Sequence, residues 1–171
     1  GTLNLLRRYY DESIAYVDAE FGRLFNLLEQ SGVLQNTWLI FTSDHGELFE
    51  RGTYSHNNPF LYQPLVHIPL LIWQPGQTQR QDISTLTSNV DLLPTIFEAA
   101  GAPAPGWIEG QPLPGLFANR LNSPAASRSV FALEAKKSSR KDPLRLATVA
   151  MLHGPYKLIH YRGYPDFEMQ Y

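Results

Sequence analysis

The chain contains no cysteine, which excludes disulfide staples, thiolate metal ligands and a cysteine nucleophile among its 171 residues. The compartment stays open, since a cysteine-free chain suits cytosol and periplasm alike. Neither charge is in surplus: 14 Lys+Arg stand against 16 Asp+Glu, a formal net of -2. That balance argues against a nucleic-acid partner, whose phosphates call for a basic surplus or patch. The densest basic stretch, Lys136, Lys137, Arg140 and Lys141, is interrupted by Ser138 and Ser139 and reads as a solvated loop. No apolar run approaches the roughly 20 residues that span a bilayer, so no membrane contact is expected of this segment. No secretory leader is visible in Gly1-Thr2-Leu3-Asn4. What the chain does have is 43% hydrophobic and 12% aromatic residues, enough to bury a core and to exclude disorder as its overall state. Its length fits one domain or part of a larger one.

Tyr10, Ile14, Val17, Phe21, Leu24 and Leu28 recur every three or four residues, the period of one helical face. Arg7, Arg8, Glu12, Glu20, Arg23 and Glu29 fall on the other faces, so the spacing predicts a helix packed on one side. Ser31-Gly32 ends it, with glycine where left-handed backbone is needed. Trp38-Leu39-Ile40-Phe41 is an unbroken apolar run that reads as a buried strand of a parallel sheet. Residues 45–60 form a polar loop at its carboxyl end. A second strand is expected over Ile68–Trp73, and a second helix from Asn89 or Asp91 to Ala100, with Pro94 in its first turn and Gly101 beyond its end. Residues 102–127, rich in Pro and Gly, read as extended coil. Three strands follow at Ser129–Glu134, Leu146–Leu152 and Tyr156–Tyr161, the last two joined by a hairpin-like His153-Gly154-Pro155. The expected class is α/β with a small antiparallel C-terminal sheet, residues 1–125 and 126–171 being two parts of one fold unit.

The chemistry concentrates between Thr42 and His67. Asp44-His45-Gly46-Glu47 follows a strand directly, and the carboxyl ends of strands are where α/β sheets gather ligands. A carboxylate beside an imidazole can reach one divalent cation; equally, Asp44 can cap the next segment and His45 can be a satisfied turn histidine. His56 lies eleven residues after His45, flanked by Ser55, Asn57 and Asn58 and followed by Tyr62. A second imidazole there can hold an oxyanion or protonate a leaving oxygen. His67, between Val66 and Ile68, reads as structural, and His153 and His160 carry no spacing signal.

These residues resemble the distal half of a sulfatase catalytic domain, in the alkaline phosphatase superfamily. The resemblance runs through Tyr10-Asp11, Gly22-Arg23-Leu24, Phe41-Thr42-Ser43-Asp44-His45-Gly46-Glu47, Tyr62, Ile68-Pro69-Leu70, Asp91-Leu92-Leu93-Pro94-Thr95-Ile96, Gly110-Gln111-Pro112-Leu113 and Tyr156-Lys157-Leu158-Ile159. It implies an alkaline-phosphatase-like mixed sheet flanked by helices, Asp44 and His45 as ligands of a divalent metal (calcium, zinc or manganese), and His56 as a catalytic contact to an anionic ester. Tyr62 and Asp91 match family positions and are expected to serve packing and helix capping.

Sulfatases commonly carry Asp-Asn at the metal position and a lysine further along the loop, whereas this chain has Asp-His and no lysine between Gly46 and Tyr62. Both sulfate and phosphate esters therefore stay open as substrates, and the segment Gly52-Thr53-Tyr54-Ser55-His56 also resembles phosphoglycerol or phosphoethanolamine transferases. No Ser/Cys-x-Pro-x-Arg nucleophile motif occurs, and Ser123-Pro124 has the wrong spacing. The 171 residues alone are expected to be inactive, or to act as a non-catalytic half-domain. An uncovered sheet edge is expected to promote self-association.

Overall fold

The computed structural model describes residues 1–117 and 128–165; Ser123-Pro124 and part of the Pro/Gly-rich stretch lie outside them. Two compact units arise, one from residues 1–58 and 62–80, the other from residues 59–61 and 81 onward.

In the first unit, α1 spans Thr2–Gln30. Ser31 caps it in right-handed backbone, and Gly32 follows at φ 74, the left-handed turn a side chain would resist. Strands β1 (Leu39–Thr42) and β2 (Leu70–Trp73) pair antiparallel, Leu39 opposite Trp73 and Thr42 opposite Leu70. The Thr42 hydroxyl donates to the Pro69 carbonyl at 2.8 Å, fixing the end of β1. Between the strands, a single helical turn, α2 (Gln63–Val66), buries Leu65. Ring contacts tie the helix to the strands: Phe21 to Phe41 at 4.6 Å and Phe25 to Trp73 at 5.2 Å.

Two expectations are corrected in this unit. β1 is not in a parallel sheet: its neighbour among the described residues is antiparallel β2. It is also only half-buried. An apolar run reports burial tendency, not the direction of a neighbour, and here α2 turns the chain back before β2. The apolar stripe of α1 is not packed along its length either, for no residue of the helix is buried and Ile14, Val17 and Leu24 are about half exposed. A helix of this length extends about 43 Å, whereas four-residue strands run about 13 Å. Two such strands cover only a part of it.

In the second unit, a short 3₁₀ turn (Asn89–Asp91) leads into α3 (Leu92–Ala99), close to the expected helix. The capping box is reciprocal: the Ser88 side chain accepts from Asp91 N–H, and Asp91 Oδ2 accepts from Ser88 N–H at 2.8 Å. Strands β3 (Ser129–Lys137), β4 (Leu146–His153) and β5 (Tyr156–Arg162) form an antiparallel meander, a little longer than the sequence indicates. β4 and β5 are joined across Gly154-Pro155. One face carries Ala132, Thr148, Ala150, Ile159 and Tyr161, the last four buried. The opposite face leaves Phe131, Leu133 and Tyr156 exposed.

Candidate functional site

β1 delivers its last residue, Thr42, into the turn Ser43-Asp44-His45-Gly46. The close approach of two backbones shapes this turn. Gly46 N–H donates to the Leu65 carbonyl at 2.9 Å, and a Cβ on Gly46 would run into the Pro64 carbonyl oxygen. Only glycine lets the turn lie against α2 in this way.

Asp44 is exposed, its side chain 87% accessible. Its Oδ1 accepts the backbone N–H of His45 at 2.9 Å. His45 Nδ1 lies 2.8 Å from the Gly46 carbonyl; a carbonyl only accepts, so Nδ1 is the donor, and in the neutral ring Nε2 holds the lone pair. That nitrogen is 3.7 Å from Asp44 Oδ2, a span that two donors at roughly 2.0–2.6 Å from one ion can bridge. The carboxylate and imidazole adjoining in sequence therefore lie close enough for one ion to reach both. They are two donors only: among the described residues no group of three or more His, Cys, Asp or Glu gathers to hold a metal.

His56 comes back onto this turn. Its ring centroid lies 4.3 Å from that of His45, the planes inclined by 33°. The structure thus brings Asp44, His45 and His56 together. The approach to His56 is held in sparsely populated backbone: Arg51 and Ser55 are left-handed at φ 55 and 100, either side of Gly52 at φ 73, conformations costing on the order of 1–3 kcal/mol at non-glycine residues. Ser55 is pinned there from several directions. Its N–H donates to the Leu48 carbonyl at 3.2 Å, its Oγ accepts Asn57 N–H at 3.0 Å, and its carbonyl accepts the Asn58 side-chain amide.

The sequence assigned no role to two participants. Glu47 accepts from His56, Oε2 to Nδ1 2.8 Å, and its side chain is only 11% exposed. Eight residues of irregular loop separate the pair, so no periodicity could have linked them. The Arg51 guanidinium stacks over the Tyr62 ring at 4.3 Å, giving Tyr62 a packing role at the base of the loop.

The remaining marked residues have surroundings of their own. Asp91 is fully buried in the second unit, where it receives Gln111 N–H at 3.1 Å and Arg128 Nη2 at 2.8 Å in addition to its capping bond. Its carbonyl accepts the Thr95 hydroxyl at 2.6 Å, and that hydroxyl accepts Leu113 N–H at 2.9 Å. His67 is exposed just after α2, where its backbone N–H donates to Gln63 at 2.8 Å. His153 lies 3.1 Å from Ser129 Oγ, and His160 is exposed on β5.

The family model described as Sulfatase matches residues 4–102. The chain is 40% identical over 110 residues to an arylsulfatase K of Canis lupus familiaris, covering 63% of this chain and 20% of that protein. It is 36% identical over 120 residues to an N-acetylglucosamine-6-O-sulfatase of Bacteroides thetaiotaomicron, covering 69% and 21% respectively. A solved structure of a protein in complex with its substrate, D-glucosamine-2-N,6-O-disulfate, superposes with a TM-score of 0.71 at 30% identity, over 89% of this chain and 30% of that one. The chain spans about a fifth of the length of the curated relatives it matches. The matched stretch contains α1, both strands of the first unit, the Asp44–His56 loop and α3, and the chain belongs to the sulfatase family.

Proposed function

We propose that this chain supplies part of the active site of a sulfate-ester hydrolase, with Asp44 and His45 as metal ligands and His56 as the group that meets the ester. The observation that carries this reading is the stacking of His56 on His45 beside Asp44, at a strand end within the family match. The donor set fits a divalent cation: one carboxylate oxygen and one imidazole lone pair, both exposed. A full coordination shell needs further donors, and in our reading these come from other sequence of the same protein, together with the nucleophile that is absent from the 171 residues. Calcium, zinc and manganese all accept such ligands, and the bound ion would supply Lewis-acid neutralisation of charge on the transferred group.

The chain's own residues do the rest. Asp44 and His45 are presented on a rigid turn, so the site is organised before the ester arrives. His56, in van der Waals contact with a metal ligand, is in position to donate a hydrogen bond to an ester oxygen or to protonate the leaving oxygen. A sulfate ester is favoured because the named relatives are sulfatases. A sulfated amino sugar is the first substrate to assay, as the superposed protein is bound to one.

The test is turnover of 4-nitrophenyl sulfate, a sulfated glucosamine and a phosphodiester by the complete protein with metal supplied. The reading expects cleavage of a sulfate ester, lost in Asp44→Ala and His56→Ala. Phosphodiester cleavage with no sulfate hydrolysis would move the substrate to phosphate esters, and undiminished turnover in both variants would refute the site.

A further inference from the structure

We infer that Glu47 is the positioning residue of His56, a reading that rests on the proposed contact of His56 with the ester. Several features of Glu47 set it apart from a surface ion-pair partner. Its carboxylate is nearly buried, whereas Asp44, three residues earlier, is almost fully accessible. Each of its oxygens has an assigned neighbour. Oε1 accepts Leu48 N–H at 3.3 Å, and Oε2 meets His56 Nδ1 at 2.8 Å. Leu48 is fully buried, and its carbonyl accepts the N–H of Ser55. The residue that steadies the carboxylate therefore also steadies the backbone that leads into His56.

The consequence concerns ring orientation. An imidazole on a polar loop can turn about its outer torsion and exchange each nitrogen for a ring carbon, an exchange of low energetic cost because that torsion is broad. A fixed carboxylate at Nδ1 removes the exchange, because a carboxylate only accepts and so holds the ring with Nδ1–H toward it. Nε2, on the opposite side of the ring, is then the nitrogen that meets the substrate. The same carboxylate compensates the imidazolium when Nε2 carries a proton to an ester oxygen, the service a buried acid performs for a catalytic histidine. The loop thus prepares its two rings in parallel: the Gly46 carbonyl takes Nδ1 of His45, Glu47 takes Nδ1 of His56, and each Nε2 is reserved for chemistry.

The experiment compares Glu47→Ala, Glu47→Gln, His56→Ala and the double variant Glu47→Ala/His56→Ala in the complete protein. It reads kcat and KM for a sulfate ester, together with the thermal midpoint. Positioning expects kcat in Glu47→Ala to fall roughly tenfold to a hundredfold, no more than the lower end of what a general acid–base group itself contributes, at nearly constant KM. Glu47→Gln keeps the shape, but its amide is neutral and can also donate, so it is expected to keep the wild-type thermal midpoint while its kcat stays depressed. The double variant is expected to be no slower than His56→Ala, because residues acting as a unit are non-additive. Wild-type kcat in Glu47→Ala, with His56→Ala inactive, would overturn the inference and leave the role of His56 standing. Additive losses, or a fall in kcat that tracks a lowered thermal midpoint in Glu47→Ala and is absent from Glu47→Gln, would assign Glu47 a structural role only. Full turnover in His56→Ala would remove the underlying reading itself.

Discussion

Asp44 and Asp91 both lie within the stretch matched by the family model, and they are used in opposite ways. Asp91 has no solvent exposure and receives Ser88 N–H, Gln111 N–H and the Arg128 guanidinium. Asp44 is almost fully exposed and receives a single backbone N–H from its neighbour. A buried carboxylate is tolerable only when donors replace its lost hydration, and once they do its removal strands them. An exposed carboxylate with an uncommitted oxygen costs the fold little to keep, and it remains available to a ligand. The two residues divide labour, one organising the second unit and the other, in the proposed reading, serving as a metal ligand.

Variants can break that comparison. The largest effect is expected at Asp91→Ala, which leaves Arg128 charged and largely buried without its partner; removing one member of a buried pair costs about 3–5 kcal/mol, to be read from denaturant unfolding. Next is Gly46→Ala, where the added methyl meets the Pro64 carbonyl. Overpacking of this kind typically costs about 1–3 kcal/mol. The displaced turn should also separate His45 from His56, measurable as loss of activity in the complete protein beyond the loss of stability.

A smaller, pH-dependent effect is expected at Lys157, on the inward face of β5, where burial lowers the ammonium from 10.5 to about 8. The native state holds fewer protons than the unfolded chain between these values, so the penalty of the buried charge applies in full below pH 8 and is relieved as the pH rises towards 10.5. Lys157→Met should therefore raise the unfolding midpoint at pH 7, with the gain shrinking on the alkaline side; a gain unchanged with pH would contradict it. The smallest change in stability is expected at Asp44→Ala, within about 0.5 kcal/mol as for ordinary surface substitutions. A loss comparable to that of Asp91→Ala would erase the distinction between the two aspartates.

The sequence made some of this legible and some not. The end of α1 at Ser31-Gly32 and the extent of α3, with Pro94 in its first turn and Gly101 past its end, follow from local rules that act within a few residues. Asp44, His45 and His56 stood out because their chemistry is unusual for a loop. The antiparallel partner of β1 was not legible, since strand direction depends on where the chain returns after 27 intervening residues, Ser43–Pro69. The Glu47–His56 bond was hidden by the left-handed turns at Arg51 and Ser55, which non-glycine residues rarely adopt and which no residue pattern announced. The half-exposed stripe of α1 shows the same limit: periodicity identifies an apolar face, while its coverage depends on what else reaches it.

The most direct test of the central claim is to measure sulfate-ester turnover and thermal midpoint together in the complete protein, wild type against Asp44→Ala, with divalent metal added and then chelated. The account predicts that Asp44→Ala abolishes metal-dependent turnover while its midpoint in chelator matches that of the wild type. Retained metal-dependent turnover in Asp44→Ala, or a midpoint in chelator that collapses with activity, would contradict it.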